Sequence, residues 1–233
     1  VELQNLARSL PDIPRWVETR GLLLGGRCTV ASSPDGFVVK ALDGLLVCCA
    51  GRPDPEAIRN VISDPDPDLR VLVSPEEAEP LARALPGWSR SSATIHLLEP
   101  GRWPEPDPSV DVRLLQDEPL LDLLPDGLRE ELSSVRPHAT IAVTFSDGVP
   151  ASICYSCWET ETLWDISIDT VPELRRRGLA EACTAFLMRT MRERGKQPVW
   201  GAEDSNLPSL RLAAKMGFVP VDRLILFSPP QRP

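Results

Sequence analysis

The stretch Trp164-Asp-Ile-Ser-Ile-Asp-Thr-Val-Pro-Glu-Leu-Arg-Arg-Arg-Gly-Leu-Ala180 combines residue types that can together hold a phosphorylated group. Alternating apolar and polar residues up to Thr170 predict a strand, and apolar residues at helical spacing from Leu179 onward predict a helix. The loop between them delivers Arg175, Arg176 and Arg177, then Gly178, Leu179 and the small Ala180. A helix N-terminus exposes unpaired N–H groups and the positive end of the helix dipole, so it attracts phosphate. Gly178 lets backbone approach an anion without a Cβ in the way, and the arginines add charge and bidentate donors. The predicted chemistry is a pyrophosphate cradle that follows a strand. The competing reading is a solvated basic turn that happens to open a helix. No Gly-Lys-Ser/Thr follows, which excludes a Walker loop, and the missing G-x-G-x-x-G excludes a dinucleotide fingerprint.

The elements that must position this loop are legible on both sides. Residues 110–115 predict a short strand, and residues 117–135 two helical pieces around Pro125, with apolar Leu120, Leu121, Leu124, Leu128 and Leu132. Residues 140–145 and 150–158 predict the arms of a hairpin turned at Ser146-Asp147-Gly148, and residues 163–170 a third strand. The helix after the cradle is expected over 179–194, its stripe being Leu179, Cys183, Phe186, Leu187 and Met191, with Gly195 as its C′ residue. A strand over 198–202, a helix capped by Asn206 and stopped at Gly217, and a strand over 223–227 complete the order.

Upstream, residues 27–32, 37–42 and 45–49 predict strands, 55–62 a helix, 69–73 a strand, 75–85 a helix and 93–98 a strand. Four prolines and a glycine within residues 99–108 read as a linker. The expected organisation is a degenerate α/β domain over 1–105 and a second domain over 109–228. The similar order of elements suggests a diverged internal repeat, and two unrelated α/β units would look the same.

Composition narrows the function classes. The net charge of −9 disfavours non-specific attraction to nucleic acid or an anionic membrane. It leans toward a cationic partner such as an amine, although solubility alone accounts for it. No apolar run approaches the ~20 residues of a membrane span, and the first ten residues lack the basic start and apolar stretch of a signal peptide. The expected location is therefore cytoplasmic. Cys154 and Cys157 form a C-x-x-C, but there is no second such pair and the histidines are His96 and His138 alone. No metal is expected, and reduced, buried cysteines are the better account.

With these residues in view, the chain resembles the GNAT superfamily of acyl-CoA N-acetyltransferases. Arg175-x-x-Gly178-x-Ala180 is similar to that family's pyrophosphate loop, and Asn206-Leu-Pro-Ser209-x-x-Leu212-x-x-Lys215-x-Gly217-Phe218 to its second landmark. The resemblance covers residues 109–228, and the layout looks like the two-unit branch in which a degenerate half precedes the working one. It implies an α/β fold of the α+β, mixed-sheet kind, with acetyl-CoA as co-substrate. It further implies that backbone of Ile168, Asp169, Thr170 and Val171 pairs with the pantetheine arm. Arg175 to Ala180 would hold the pyrophosphate, and Asn206 and Ser209 would lie beside the thioester end. For Asn206 a helix cap is the plain alternative.

The resemblance implies transfer of an acetyl or short acyl group to a small-molecule or peptide amine by direct attack in a ternary complex. The base is unassigned. Asp165, Ser167 and Asp169 share one face of their strand, which predicts a wet cleft there, so Asp165 and Asp169 are candidates and Glu203 a third. Trp158, Trp164 and Trp200 are candidates to wall the acceptor site, with core packing as the alternative. Many members carry a tyrosine acid on the late helix; here that position is Ala213, and the only tyrosine is Tyr155. A non-catalytic acyl-CoA-binding module, or a structural protein on the same fold, therefore stands as an alternative. The N-terminal unit lacks a counterpart of the arginine loop. It is expected not to bind CoA, but to wall the acceptor cleft or hold a partner subunit in a homodimer.

Overall fold

The computed structural model describes residues 2–115 and 123–230. In chain order the helices are α1 (Glu2–Ser9), α2 (Val17–Gly25), α3 (Pro55–Val61), α4 (Ala78–Ala84), α5 (Asp126–Val135), α6 (Leu179–Glu193) and α7 (Leu207–Lys215). The strands are β1 (Cys28–Ser33), β2 (Gly36–Ala41), β3 (Leu46–Gly51), β4 (Arg70–Val73), β5 (Ser89–Leu98), β6 (Val112–Leu114), β7 (Ile141–Ser146), β8 (Val149–Glu159), β9 (Leu163–Thr170), β10 (Gln197–Glu203) and β11 (Phe218–Ser228). The expected mixed α/β architecture is thus present. The first helical piece expected before Pro125, with Leu120 and Leu121, lies outside the described residues.

The chain forms two compact units, and they do not part at the proline-rich segment. The first comprises Val1–His96 with Gly201–Leu210 and Pro220–Pro233, and the second Leu97–Trp200 with Arg211–Val219. This differs from the linear division at 105 and 109, for two physical reasons. Residues 99–108 are anchored within the second unit: Glu99 N donates to Gly217 O at 3.0 Å, and the Arg192 guanidinium lies 4.7 Å from the centre of the Trp103 ring. The C-terminal strand β11, for its part, is captured by the first unit, pairing Ile225 with Val73, Leu226 with Leu72 and Phe227 with Val71.

In the first unit, β1, β2 and β3 form an antiparallel meander and β3 pairs in parallel with β4 across α3. Strand order continues through β4, β11 and β5. Asp54 caps α3 by accepting from Glu56 N at 2.9 Å, and Pro55 occupies the first turn, where its missing N–H costs nothing. Val38, Val47, Ile58, Leu69, Val71, Leu81 and Phe227 make the core. Asp204 gathers Ser92 Oγ at 2.7 Å, Thr94 Oγ1 at 2.6 Å and the Arg223 guanidinium, and these donors hold its carboxyl below the usual range.

Two helices, α1 and α2, were not foreseen. The buried Arg20 guanidinium of α2 donates to the carbonyls of Ala7 and Leu10 and so closes the C-terminus of α1. Burial pushes the Glu18 carboxyl of α2 up to about 7. The sign follows directly. The unfolded glutamate ionises near pH ~4.3, so between there and pH 7 the unfolded state releases its proton first, and rising pH costs stability. Glu18→Gln is therefore expected to match wild type near pH 4 and to be the more stable protein above pH 7, as read by urea melts across that range. Equal pH dependence of the two proteins would contradict the burial of this carboxyl.

The second unit repeats the same run of elements. Strands β7, β8 and β9 form an antiparallel meander behind the edge strand β6, and β9 pairs in parallel with β10 across α6. Asp147 and Gly148, at φ 53° and 80°, turn the β7–β8 hairpin in the left-handed conformation that such two-residue turns require. Helix α6 buries Leu179, Cys183, Leu187 and Met191 of its predicted stripe, leaves Phe186 half-buried, and also buries Ala182, Thr184, Ala185 and Met188. On the α5 side, Leu132, Ile141, Val143, Ile153 and Tyr155 form a separate core.

Candidate functional site

The residues expected to form the cradle lie at the C-terminal end of β9 and in the loop after it, within the second unit. Strand β9 pairs with β8 along nearly its full length, but its parallel ladder with β10 joins Leu163, Trp164 and Asp165 to Gln197, Pro198 and Val199. Beyond Asp165, β9 continues for five residues. Gln197 N donates to Thr162 O on the β10 side, whereas Val171 N donates to Ala151 O on the β8 side. Backbone direction alternates along a strand, so Ser167 and Asp169 turn their N–H and C=O groups to β8. Ile166, Ile168 and Thr170 turn theirs to the β10 side. There the Asp165–Val199 pairing takes the Ile166 N–H and the ladder then ends, leaving Ile166 O, both groups of Ile168 and Thr170 N beyond it. The available backbone is therefore narrower than the expected run of Ile168 to Val171: Asp169 and Val171 are committed to β8.

The loop that follows reverses direction sharply before α6. Pro172–Leu174 make one 3-10 turn, Arg175 is extended, Arg176 is left-handed at φ 64°, and Gly178 is left-handed at φ 79°. A non-glycine residue at positive φ costs about 1–2 kcal/mol. The loop retains that conformation at Arg176, where it changes the direction of the chain just before the helix. Gly178 is the N-cap of α6 and offers no side chain to the free N–H groups of the first turn. A Cβ placed on Gly178 would meet nothing within 4 Å. Packing therefore does not demand glycine here; the backbone conformation does, and the result is an open approach to the helix N-terminus.

Arg175, Arg176, Arg177 and Gly178 are exposed, Leu179 is buried and Ala180 half-buried. Arg175 Nε donates to Thr170 O at 3.2 Å, which folds that side chain back toward the end of β9. Among the described residues none pairs with Arg176 or Arg177. Glu181, the acid of the first helical turn, is neutralised by Lys215. The N-terminus of α6 thus keeps its positive end unopposed.

The base candidates are divided between the units, Asp165 and Asp169 in the second and Glu203 in the first. Asp165 and Asp169 are half-buried on the face of β9 that Ile153 and Tyr155 share through their cross-strand pairing, on the side of α5. Glu203 belongs to the first unit, where its Oε2 accepts from Ser91 Oγ at 3.1 Å and its Oε1 lies 3.9 Å from Arg70. Asn206 Oδ1 accepts from Ser209 N at 3.2 Å, so Asn206 caps α7. Ala213 is fully buried, and Tyr155 is a core residue at 5% exposure.

For two of the three tryptophans core packing, the commoner use, is what the structure shows. Trp164 and Trp200 are 0% and 1% exposed, so both are core residues and not walls of a cleft. Trp200 packs edge-on against Phe218 at 5.3 Å. Trp158 is half-buried. The cysteines are free thiols; burial pushes Cys154 up to about 12 and raises Cys183 well above its ordinary value, which leaves them unreactive. Among the described residues no helix is long and apolar enough to cross a membrane.

A family model described as GNAT acetyltransferase matches residues 141–227, which contain β9, the arginine loop and α6. A search of curated proteins found no match. Among solved structures, a GCN5-related N-acetyltransferase-like protein from Streptococcus suis is similar at TM-score 0.73 and 19% identity, covering 97% of this chain and 98% of that one. A GCN5-related N-acetyltransferase from Kribbella flavida is similar at TM-score 0.69 and 16% identity, over 97% and 96% of the two chains. A tandem GNAT protein from the clavulanic acid biosynthesis pathway is similar at TM-score 0.59 and 16% identity, over 93% and 88%. At these identities the likeness is one of fold, and it extends over both runs of elements. The segment matched by the family model contains the arginine loop, and along its whole length the chain is similar in fold to GNAT proteins.

Proposed function

We propose that this protein is an N-acetyltransferase that moves an acetyl or short acyl group from acetyl-CoA to a small-molecule or peptide amine. The observation that carries the proposal is the junction of β9 with α6. There, strand backbone freed from the β10 ladder leads into a glycine-capped helix N-terminus flanked by three exposed arginines. Amides of the pantetheine arm would pair with Ile166, Ile168 and Thr170 as an added strand. The pyrophosphate would lie against the free N–H groups at the start of α6, with the arginines supplying charge.

The reaction is direct attack. The amine nitrogen bonds to the thioester carbonyl carbon, the carbon–sulfur bond breaks, and CoA leaves as a thiolate while the amine proton passes to a base. Asp165, Asp169 and Glu203 are the proposed carriers of that proton, directly or through water. With Ala213 in the place of the family's tyrosine, water protonates the thiolate or it leaves unprotonated. No covalent enzyme intermediate is invoked, because the buried thiols are held protonated.

One observation favours a second reading, a non-catalytic acyl-CoA-binding module: Ala213 and Tyr155 are both buried, so neither position offers an acid to solvent. Thiol release from acetyl-CoA over a panel of amines separates the two. Amine-dependent release above the acetyl-CoA-only control supports the transferase; saturable binding without release on any amine supports the module; absence of binding overturns both. Within the same assay, Arg176→Ala is expected to weaken acetyl-CoA about fivefold at low ionic strength, and less as salt screens the contact. Unchanged affinity at low salt would remove Arg176 from the pyrophosphate site.

A further inference from the structure

We infer that the first unit carries a second ligand site, a cavity that takes a small organic cation with an apolar body. The cavity has a volume of about 430 Å³, within the range of small-molecule pockets. Cys49 and Gly51 bring the end of β3 to it, and Val73 the end of β4. Those are the carboxyl ends of a parallel pair, the place where open α/β sheets receive ligands. Its walls are fixed: Arg52 N donates to Asp35 O at 2.8 Å, and a Cβ on Gly36 would meet Ala50 O at 2.5 Å.

In the order of elements this cavity corresponds to the arginine loop of the second run, but its chemistry has the opposite sign. Asp35, Asp54 and Glu77 line it against the single guanidinium of Arg52. That guanidinium is already paired, Nε to Glu77 Oε1 at 3.1 Å. Asp54 caps α3, so an anion already occupies the place where a phosphate would bind. Glu77 Oε2 is buried and has no hydrogen-bond partner. A buried carboxylate oxygen without a donor is costly, and an ammonium or guanidinium group supplies the donor and balances the charge. Ile58, Val73 and Leu81 provide the apolar surface for the rest of the ligand. Burial pushes the Cys49 thiol up to about 12, so it adds no charge at neutral pH.

The inference is independent of acetyl transfer and is tested on the full chain. The Ile58 methyl signals are followed by NMR while benzylamine, benzyl alcohol or benzoate is titrated. Benzylamine is expected to shift them saturably, benzyl alcohol to bind about tenfold more weakly, and benzoate not to bind. Glu77→Gln is expected to weaken benzylamine about tenfold while leaving benzyl alcohol binding as in wild type. Failure of benzylamine to move Ile58, or equal affinity for amine and alcohol, overturns the inference, and neither result depends on the variant. Equal benzylamine affinity in wild type and Glu77→Gln would remove Glu77 from the site.

Discussion

Gly178→Glu is expected to abolish measurable acetyl-CoA binding while the protein stays folded. The new carboxylate would stand at the N-terminus of α6, where the proposed function puts the pyrophosphate of the co-substrate. Like charges at that contact cost several kcal/mol, and ~3 kcal/mol already weakens binding by more than 100-fold. The fold tolerates the change because the position is exposed and a Cβ there meets nothing within 4 Å. What remains is the strain of a side chain at φ 79°, about 1 kcal/mol. Titration calorimetry read beside thermal unfolding separates the two effects. Retained affinity with a native melting profile would place the co-substrate elsewhere.

The second large effect falls on stability. Trp200→Ala removes a fully buried indole that packs edge-on against Phe218, and loss of such a side chain costs about 3–5 kcal/mol. A urea melt at neutral pH checks it. A loss below ~1 kcal/mol, together with a specific defect in acceptor affinity, would restore Trp200 to a cleft wall.

That contrast shows where sequence reading is strong and where it is weak. The alternation along residues 163–170 and the helical stripe after Leu179 are local periodicities, and both elements lie where those patterns place them. A tryptophan's size says it matters without saying to which surface, so Trp164 and Trp200 were open to either role. Helix α1 does carry the spacing Leu3, Leu6, Ala7 and Leu10, a usable signal. Helix α2 carries no such stripe, since Thr19, Arg20 and Gly21 are buried beside Leu22 and Leu23.

Long-range pairing was illegible for a different reason. Nothing local to Ile225 and Phe227 encodes that they join Val73 and Val71, about 150 residues earlier, and this pairing redraws the boundary between the units. The arginine loop itself was legible by residue type, but its geometry was not. The left-handed Arg176 has no local sequence signal, and neither does the pairing of Ser167, Asp169 and Val171 with β8 that leaves backbone of Ile166, Ile168 and Thr170 on the other side.

The most direct test of the central claim is hydrogen–deuterium exchange of the full chain with and without acetyl-CoA. Saturating acetyl-CoA is predicted to slow exchange at the amides of Ile168 and Thr170 and through the first turn of α6, from Gly178 to Glu181. Unchanged exchange across those amides, or protection confined to other segments, would contradict the assignment of this strand, loop and helix as the acyl-CoA cradle.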